Sequence, residues 1–179
     1  IYDYLADVGP DLNTRGDNGF RPQLADRWSW SADSLSLAFH LRPRARWHDG
    51  QPVTAADVRF TFVLNKNPEL GSDVLSELAN IDSVSAPDSV TAVFWFHKRS
   101  ITQFLDAAAQ MLILPEHLLD KIPVARLRES ATSPIGSGRF RLRRWDKGSS
   151  VELVADSANY RGRARLDRVI WIITPDHTT

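Results

Sequence analysis

The sequence predicts a mixed α/β fold of the α+β type, and three observations lead to that prediction. Short segments of alternating apolar and polar residues recur along the chain, which is the pattern of half-buried strands. Turn-forming clusters separate these segments, which favours antiparallel pairs over parallel ones. Three or four short stretches with helical start signals lie between them. Strand pairs combined with a few separate helices are typical of the α+β class.

The first strands are predicted from alternation around two tryptophans. The pair Asn18-Gly19 is favoured where two residues need positive φ, so a hairpin is expected there. Trp28 and Trp30 then alternate with serines, and residues 35–41 alternate apolar with polar side chains. A period of two places every second side chain on the same face of a strand. This stretch therefore predicts two strands that each bury one face.

A helix is predicted directly after Thr54. Thr54 suits the N-cap, and Asp57, three residues later, is a weaker form of the capping-box acid. Because apolar residues recur one turn apart after this cap, we predict a helix over residues 55–64. The loop that follows contains proline and glycine, and a further short helix is expected over residues 74–79.

The middle of the chain predicts two strands and two helices. Residues 82–84 and 90–96 are joined by a turn, and the second run is apolar on both faces, which predicts a central, covered strand. Residues 103–111 follow a candidate N-cap and are expected to be helical. Pro115 suits the first turn of another helix, predicted over residues 116–122.

The last third of the chain predicts three strands. Arginines alternate with Phe140 and Leu142, and residues 151–154 pair naturally with this strand across a glycine-containing turn. Residues 169–173 are a short apolar run that predicts a buried strand. From residue 139 to residue 168 the chain carries nine Lys or Arg against four Asp or Glu. Because these charges alternate with apolar residues, we interpret them as the solvated face of a sheet.

The composition is that of a globular protein and argues against several kinds of partner. Twenty-two basic residues balance twenty-two acidic ones, so no overall field would recruit nucleic acid or an acidic membrane. The absence of cysteine removes disulfides, cysteine zinc ligands and a cysteine nucleophile. No apolar run approaches the roughly 20 residues that a membrane span needs. The chain begins with Ile1 and shows no signal peptide, so a processed or excised segment is expected.

The sequence offers no convincing catalytic or metal site. No two of the five histidines have metal-ligand spacing. His48-Asp49 could form a catalytic pair, but a turn in which Asp49 bonds its own backbone is the favoured interpretation. Gly136-Ser137-Gly138 lacks the spacing of a nucleophile elbow or a phosphate loop, so it is interpreted as a tight turn whose backbone approaches a strand or a ligand. No catalytic residue, metal or cofactor is predicted.

Several sequence blocks, in a fixed order, give the chain a family resemblance. Residues 22–30 and the strand after them resemble a Pro-x-Leu-Ala-Glu-x-Trp stretch followed by an alternating strand that ends Phe-x-Leu-Arg. Further blocks follow at residues 46–58, 113–119, 134–140, 159–162, 166–169 and 173–176. Together they resemble the bacterial extracellular solute-binding proteins of family 5, the peptide-, dipeptide- and nickel-binding components of ABC importers.

The resemblance implies a periplasmic-binding-protein type II-like fold that this chain contains only in part. Residues 1–23 and 134–179 are expected to form part of the first α/β lobe. Residues 24–133 are expected to form the small extra strand-rich domain that marks this family. The second lobe is expected to be absent from the chain.

By resemblance, the whole protein would close around a peptide or a similar small solute and present it to the membrane subunits of an ABC importer, without catalysis. It would be periplasmic, or anchored to the membrane outside the cytoplasm. No nucleic-acid partner is expected for this segment. Self-association of the chain through exposed apolar surface is a further expectation. Two alternatives remain open, the solute-sensing domain of a transcriptional regulator with the same fold and a peptide hydrolase.

Four groups of residues are expected to face the solute by the same resemblance. They are Asp3, Tyr4 and Leu5; Gly71, Ser72, Asp73 and Leu75; Gln110 and Met111; and Gly136, Ser137 and Gly138. Nickel-chelate binders have a basic residue and an aromatic one in the second group, where this chain has Ser72 and Leu75, so a nickel chelate is disfavoured. The main carboxylate that holds the amino terminus of a peptide is expected in the absent lobe.

Overall fold

The computed structural model describes residues 1–127 and 133–174 of the chain. Within them, two short 3-10 helices at Pro68–Leu70 and Val124–Arg126 accompany the main elements. In chain order these elements are β1 Ala6–Val8, β2 Phe20–Pro22, β3 Ala25–Trp30, β4 Ser36–Leu41, α1 Ala55–Lys66, β5 Ile81–Ser85, β6 Thr91–Phe96, α2 Gln103–Ala108, α3 Glu116–Leu119, β7 Phe140–Asp146, β8 Ser150–Ala155 and β9 Arg168–Ile172. The predicted domain division also includes residues 128–132 and 175–179, which lie outside the described part.

The strands form three antiparallel sheets, which confirms the predicted mixed α/β class. The pair β1-β2 is the smallest sheet, β3-β4-β6-β5 is a four-stranded sheet, and β7-β8-β9 is a three-stranded sheet. In the four-stranded sheet β4 pairs with β6 so that Leu37 lies opposite Phe94 and Phe39 opposite Ala92. These four side chains are fully buried, and α1 packs across β5 and β6. The strand predicted over residues 35–41 is therefore confirmed, with its predicted buried face.

The helix predicted after Thr54 is confirmed and begins at the predicted cap. Asp57 Oδ2 accepts the backbone N–H of Thr54 at 2.7 Å, as in a capping box. Asp57 is buried, and its Oδ1 accepts the backbone N–H of Glu116 at 2.9 Å. One carboxylate therefore fixes the start of α1 and the start of α3. The helix continues past its predicted end to Lys66.

Aromatic rings fill the core between the four-stranded sheet and α2. The ring of Phe104, which is fully buried, lies 4.6 Å from Phe20, 4.8 Å from Trp28 and 5.5 Å from Phe39, measured between centroids. Tilted rings at such separations attract one another beyond the burial of their area. The indole N–H of Trp28 donates to Asp17 Oδ2 at 3.0 Å, so its polar edge is also satisfied.

The hairpin predicted at Asn18-Gly19 exists as a strand pair, but the prediction that these two residues form its turn is wrong. The strands β1 and β2 do pair, but all of residues 9–19 connect them. Neither Asn18 nor Gly19 has a positive φ, whereas Leu12 and Gly16 in the same connection do. A two-residue turn needs left-handed backbone at its centre, so the pair that favoured it in the sequence lies in ordinary backbone instead.

Three helix predictions overestimate helical length. Residues 74–79 form turns rather than a helix, because the N–H groups of Leu75 and Ala79 bond to carbonyls three residues earlier, at Ser72 and Ser76. The helix α2 ends at Ala108, whose carbonyl accepts the N–H of Leu5 at 3.1 Å instead of continuing the helix. The helix α3 ends at Leu119, where the N–H of Ile122 closes a tighter turn at 3.1 Å.

Two predictions of strand burial are wrong. The strand β6 does lie centrally between β4 and β5, but Trp95 on its outer face is 47% exposed while Phe94 and Phe96 are buried. The strand predicted over residues 169–173 exists as β9, but Trp171 is 58% exposed and Ile172 is 75% exposed. The reason is position, since β9 is the edge of its sheet and β8 is its main neighbour among the described elements.

Replacing Phe104 by alanine should lower the free energy of unfolding by about 3–5 kcal/mol, because the substitution removes a ring from a fully packed cluster and leaves a cavity. The matched control is Ile101→Ala, whose side chain is 60% exposed, with an expected change within about 0.5 kcal/mol. Urea unfolding followed by tryptophan fluorescence measures both. Equal losses in the two variants would contradict the central place of Phe104 in the core.

Candidate functional site

The first five residues run between segments that are distant in the sequence. The N–H of Leu5 donates to the carbonyl of Ala108 at 3.1 Å, and the carbonyl of Asp3 accepts the N–H of Ile113 at 3.0 Å. On the other side, the carbonyl of Leu5 accepts the N–H of Ala25 at 2.9 Å. The first predicted group of site residues therefore lies beside the segment that carries the third group, Gln110 and Met111.

The glycine turn, Gly136 to Gly138, approaches residues 1–5 so closely that a side chain would not fit. The N–H of Gly138 donates to the carbonyl of Ile1 at 2.6 Å. A Cβ atom at Gly136 would lie 2.2 Å from that carbonyl oxygen, and one at Gly138 would lie 2.6 Å from it. Asn159 Nδ2 donates to the carbonyl of the buried Ser137 at 2.8 Å and fixes the turn from its other side. Close backbone approach, as predicted, explains these glycines.

His48 lies between β4 and α1, in the part of the fold built on the four-stranded sheet, which we call the four-stranded-sheet unit. It attaches the glycine turn to this unit. Its backbone N–H donates to the carbonyl of Gly136 at 2.8 Å. Its ring Nδ1 accepts the N–H of Gly136 at 3.1 Å, and its Nε2 lies 2.8 Å from the carbonyl oxygen of Gly138. Burial lowers the pKa of the His48 imidazole below its ordinary value. The neutral ring with its hydrogen on Nε2 satisfies both backbone groups.

His48 and Asp49 do not form a catalytic pair, because each side chain has other partners. Asp49 Oδ1 accepts the N–H of Gln51 at 3.0 Å, which is the turn predicted from the sequence. Asp49 Oδ2 lies 2.8 Å from His117 Nε2. In residues 1–127 and 133–174, no three His, Asp or Glu side chains are grouped so as to hold a metal ion.

Asp3 is the centre of a buried polar network. Its side chain is almost fully buried, and Oδ1 accepts Gln23 Nε2 at 3.0 Å and an Arg161 guanidinium N–H at 2.5 Å. The hydroxyl of Tyr160 donates to Oδ2 at 2.9 Å. Burial and the Asp3 charge raise the pKa of Tyr160, so the phenol stays a donor. Gln23 Oε1 in turn accepts the N–H of Tyr4 at 3.1 Å, so the network holds the segment by side chain and backbone.

The second predicted group lies after the end of α1. Gly71 has left-handed backbone with φ 60°, and the hydroxyl of Ser72 donates to Asn65 Oδ1 at 2.6 Å. Asp73 is exposed, and Leu75 is 40% exposed. Asn65 belongs to α1, so this loop is positioned by the helix rather than by the network around Asp3.

An apolar cavity of about 400 Å³ lies where the neighbours of three predicted groups meet. Tyr2 precedes Asp3, Leu70 precedes Gly71, and Ile135 precedes Gly136. The lining consists of Tyr2, Leu64, Leu70, Leu114, Pro115, Leu118, Leu119, Ile122, Leu127, Ser133, Pro134 and Ile135. None of the predicted site residues is among them, so sequence reasoning missed this cavity. Its only sequence signal is the density of leucines around Pro115, which equally suits a core.

The predicted site residues fall into two sets by their exposure. The buried set is Asp3, Leu5, Met111, Gly136, Ser137 and Gly138. The accessible or partly accessible set is Tyr4, Gly71, Ser72, Asp73, Leu75 and Gln110. Sequence reasoning also missed the partners that fix the buried set, namely Gln23, His48, Tyr160 and Arg161. The signal that all four share is their place in blocks of the family resemblance, at 22–30, 46–58 and 159–162.

The contacts of residues 1–5 with the glycine turn and with the Asp3 network form one joint within a mixed α/β module, and the structural neighbours of this module are solute-binding proteins. The structure matches that of the oligopeptide-binding protein AppA from Bacillus subtilis in complex with a nonapeptide, with a TM-score of 0.88, 26% identity and coverage of 98% of this chain and 34% of that one. The sequence pattern of the bacterial extracellular solute-binding proteins, family 5 Middle, matches residues 19–179. The chain belongs to this family of extracellular solute-binding proteins.

Curated relatives and a further structure agree with this membership. A Brucella ovis protein named as a candidate peptide-binding protein of an ABC transporter is 37% identical over 150 residues, which are 82% of this chain and 28% of the relative. AppA of Bacillus subtilis is 26% identical over 179 residues, 98% of this chain and 32% of that protein. NikZ from Campylobacter jejuni, solved with Ni(L-His), has a TM-score of 0.84 at 28% identity and covers 97% of this chain and 34% of its own.

This chain therefore spans about a third of the length of the relatives it matches. Across the described ranges, no helix has both the length and the apolar character needed to cross a membrane.

Replacing Asp3 by asparagine should lower the free energy of unfolding by about 3 kcal/mol, because it leaves the Arg161 guanidinium without its carboxylate in a largely buried site. The control is Asp167→Asn, which breaks an exposed ion pair with Arg163 and should cost less than about 0.5 kcal/mol. Urea unfolding of both variants gives the comparison. A loss no larger than that of the control would show that the Asp3 network does not hold the joint.

Proposed function

We propose that this chain is part of the solute-binding component of an ABC importer and that the solute is a peptide. The observation that carries this proposal is the family match over residues 19–179, with relatives named for peptide binding. A structural likeness to a protein solved with a nonapeptide supports it further. No observation favours the alternative of a regulator's sensing domain.

The chain contributes one half of a clamp. In this proposal residues 1–23 and 134–179 belong to the first lobe, residues 24–133 form the extra strand-rich domain, and a second lobe completes the protein. The contacts of Gly136 with both Ile1 and His48 support a seam at this turn. A solute that binds the closed arrangement better than the open one drives closure of such lobes.

The two exposure classes of the predicted site suggest different roles. We assign solute contact to the accessible residues, Tyr4, Ser72, Asp73, Leu75 and Gln110. The buried residues, such as Asp3, already use their polar atoms within the chain, so their role is to hold the contact surface in place. A peptide presents its own backbone donors and acceptors and variable side chains, which suits a surface of mixed polar and apolar groups.

A nickel chelate remains the less favoured solute, although NikZ shares the fold. Ser72 and Leu75 occupy the loop on which a basic residue and an aromatic are expected for such a ligand. Neither side chain is a strong recognition group for an anionic chelate, since a serine hydroxyl carries no charge and leucine has no polar atom.

The chemistry proposed for the whole protein is binding without catalysis. After closure the loaded clamp would dock on the membrane subunits of the importer, outside the cytoplasm, in the periplasm or held at the membrane surface. Hinge closure needs no nucleophile or proton donor, and in the described part His48 and Asp49 are each engaged in structural bonds.

A protein that contains this chain together with its second lobe should bind short peptides in the micromolar range or tighter by isothermal titration. The 179-residue chain alone should bind the same peptides far more weakly, because half of the contacts are missing. Gln110→Ala should weaken peptide binding several-fold, whereas the exposed Asp7→Ala, in β1, should not. No heat with any peptide, alongside clear binding of opines or metal chelates, would overturn the choice of solute.

This chain on its own should also self-associate through β9, because Trp171 and Ile172 are exposed on an edge strand that pairs with β8 on one side and has no described strand on the other. Trp171→Arg should shift the sedimentation of concentrated protein towards monomer. Trp95→Arg is the matched control, since Trp95 is 47% exposed on a different sheet. A chain that is monomeric at all concentrations would contradict the expectation.

A further inference from the structure

The imidazole of His48 is bound at both nitrogens by backbone groups whose roles cannot change. The N–H of Gly136, 3.1 Å from Nδ1, can only donate, so Nδ1 must be an unprotonated acceptor. The carbonyl of Gly138, 2.8 Å from Nε2, can only accept, so Nε2 must carry the hydrogen. A second proton on the ring would place two donors, Nδ1–H and the Gly136 N–H, against each other.

The other histidines of the described chain have the opposite surroundings. His40, His97 and His117 each lie within 2.8–3.4 Å of an aspartate oxygen. Only His48, within the described residues, is bonded at both ring nitrogens to rigid backbone, so it responds to acid by losing a contact that joins two parts of the fold.

We propose that His48 is a proton-sensitive clasp that holds the glycine turn, and with it the start of β7, against the four-stranded-sheet unit. Protonation of Nδ1 removes the bond from Gly136, while the bond of Gly138 to the carbonyl of Ile1 is independent of the imidazole. Acid therefore loosens the attachment of the turn to His48 without abolishing it, because the bonds from the His48 backbone N–H to Gly136 and from Nε2–H to Gly138 remain. The proposal does not depend on the identity of the solute or on transport.

The charges around the ring support this direction. Burial is the largest influence and lowers the pKa of His48 from its ordinary 6.5. The hydrogen bond to the Gly138 carbonyl and the charge of Asp156 oppose this shift, whereas Arg141 reinforces it. Arg141 and Asp156 lie 3.7 Å apart and partly cancel. On its own turn, Asp49 is engaged by His117. Because folding lowers the pKa, the clasp is complete above about pH 6.5 and weakens as the pH falls below it.

The test is amide hydrogen exchange of the whole 179-residue chain by NMR at pH 7.5 and pH 5.5, expressed as protection relative to the intrinsic rate. The protection of Gly136 should fall by up to about tenfold between these two pH values. His48→Gln keeps a donor and an acceptor but does not titrate, so its Gly136 protection should be nearly independent of pH. His97→Gln, at an exposed site, should behave like the wild type.

A second measurement on the unmodified chain does not depend on how well a variant folds. Nitrogen chemical shifts of the His48 ring at pH 7.5 should show a protonated Nε2 and a bare Nδ1. The other tautomer would overturn the clasp, and so would Gly136 protection that stays constant while the ring shifts report protonation of Nδ1. Equal loss of protection in the wild type and in His48→Gln would overturn it as well, since the effect would then come from another group.

Discussion

The contact on which the rest of the structure depends is the approach of Gly136 and Gly138 to the carbonyl of Ile1. The backbones meet at a distance that leaves no room for even a methyl group. Neither glycine has a positive φ, so the requirement is space and not backbone conformation. A joint made of two backbones leaves little room for movement, because no side-chain rotamer lies between them to absorb it.

Around this joint the chain uses polar groups, whereas it uses rings and aliphatic side chains in the four-stranded sheet. The network of Asp3, Gln23, Tyr160 and Arg161 joins residues almost at opposite ends of the chain. Hydrophobic packing is tolerant of small displacements, but a buried carboxylate with three donors is satisfied only in one arrangement. The core of the four-stranded sheet therefore provides stability. The polar joint determines how the four-stranded sheet and the three-stranded sheet are placed.

The local parts of the fold were open to prediction from the sequence because their causes are local. Alternation gave β4, and the Thr54 cap gave the start of α1. The ends of helices could not be predicted in this way, because they are set by partners that are distant in the sequence. The carbonyl of Ala108 is taken by Leu5, and no pattern near residue 108 contains that information. The exposure of Trp171 is equally non-local, since an apolar strand is buried only if something covers it.

The candidate site shows the same division. Resemblance brought Asp3 and the glycine turn into one set of residues, and the structure does place them within one joint. It could not indicate that Asp3 is already saturated by Gln23, Tyr160 and Arg161, because hydrogen-bond partners far apart in the chain leave no local signature. Several of the blocks that carry the resemblance meet in space: 134–140 contacts 159–162 through Ser137 and Asn159, and it contacts 46–58 through His48.

This arrangement separates the accessible residues, which a solute could contact, from the buried residues, which hold the accessible ones in position. Tyr4 illustrates the link, since its backbone N–H is held by Gln23 while its side chain remains partly accessible. The proposed clamp would benefit from such a division, because contact residues could change with the solute without disturbing the joint. In the function proposed above, sequence differences among relatives at the accessible positions would report on the solute, whereas differences at Asp3, His48 or the glycines would report on the fold.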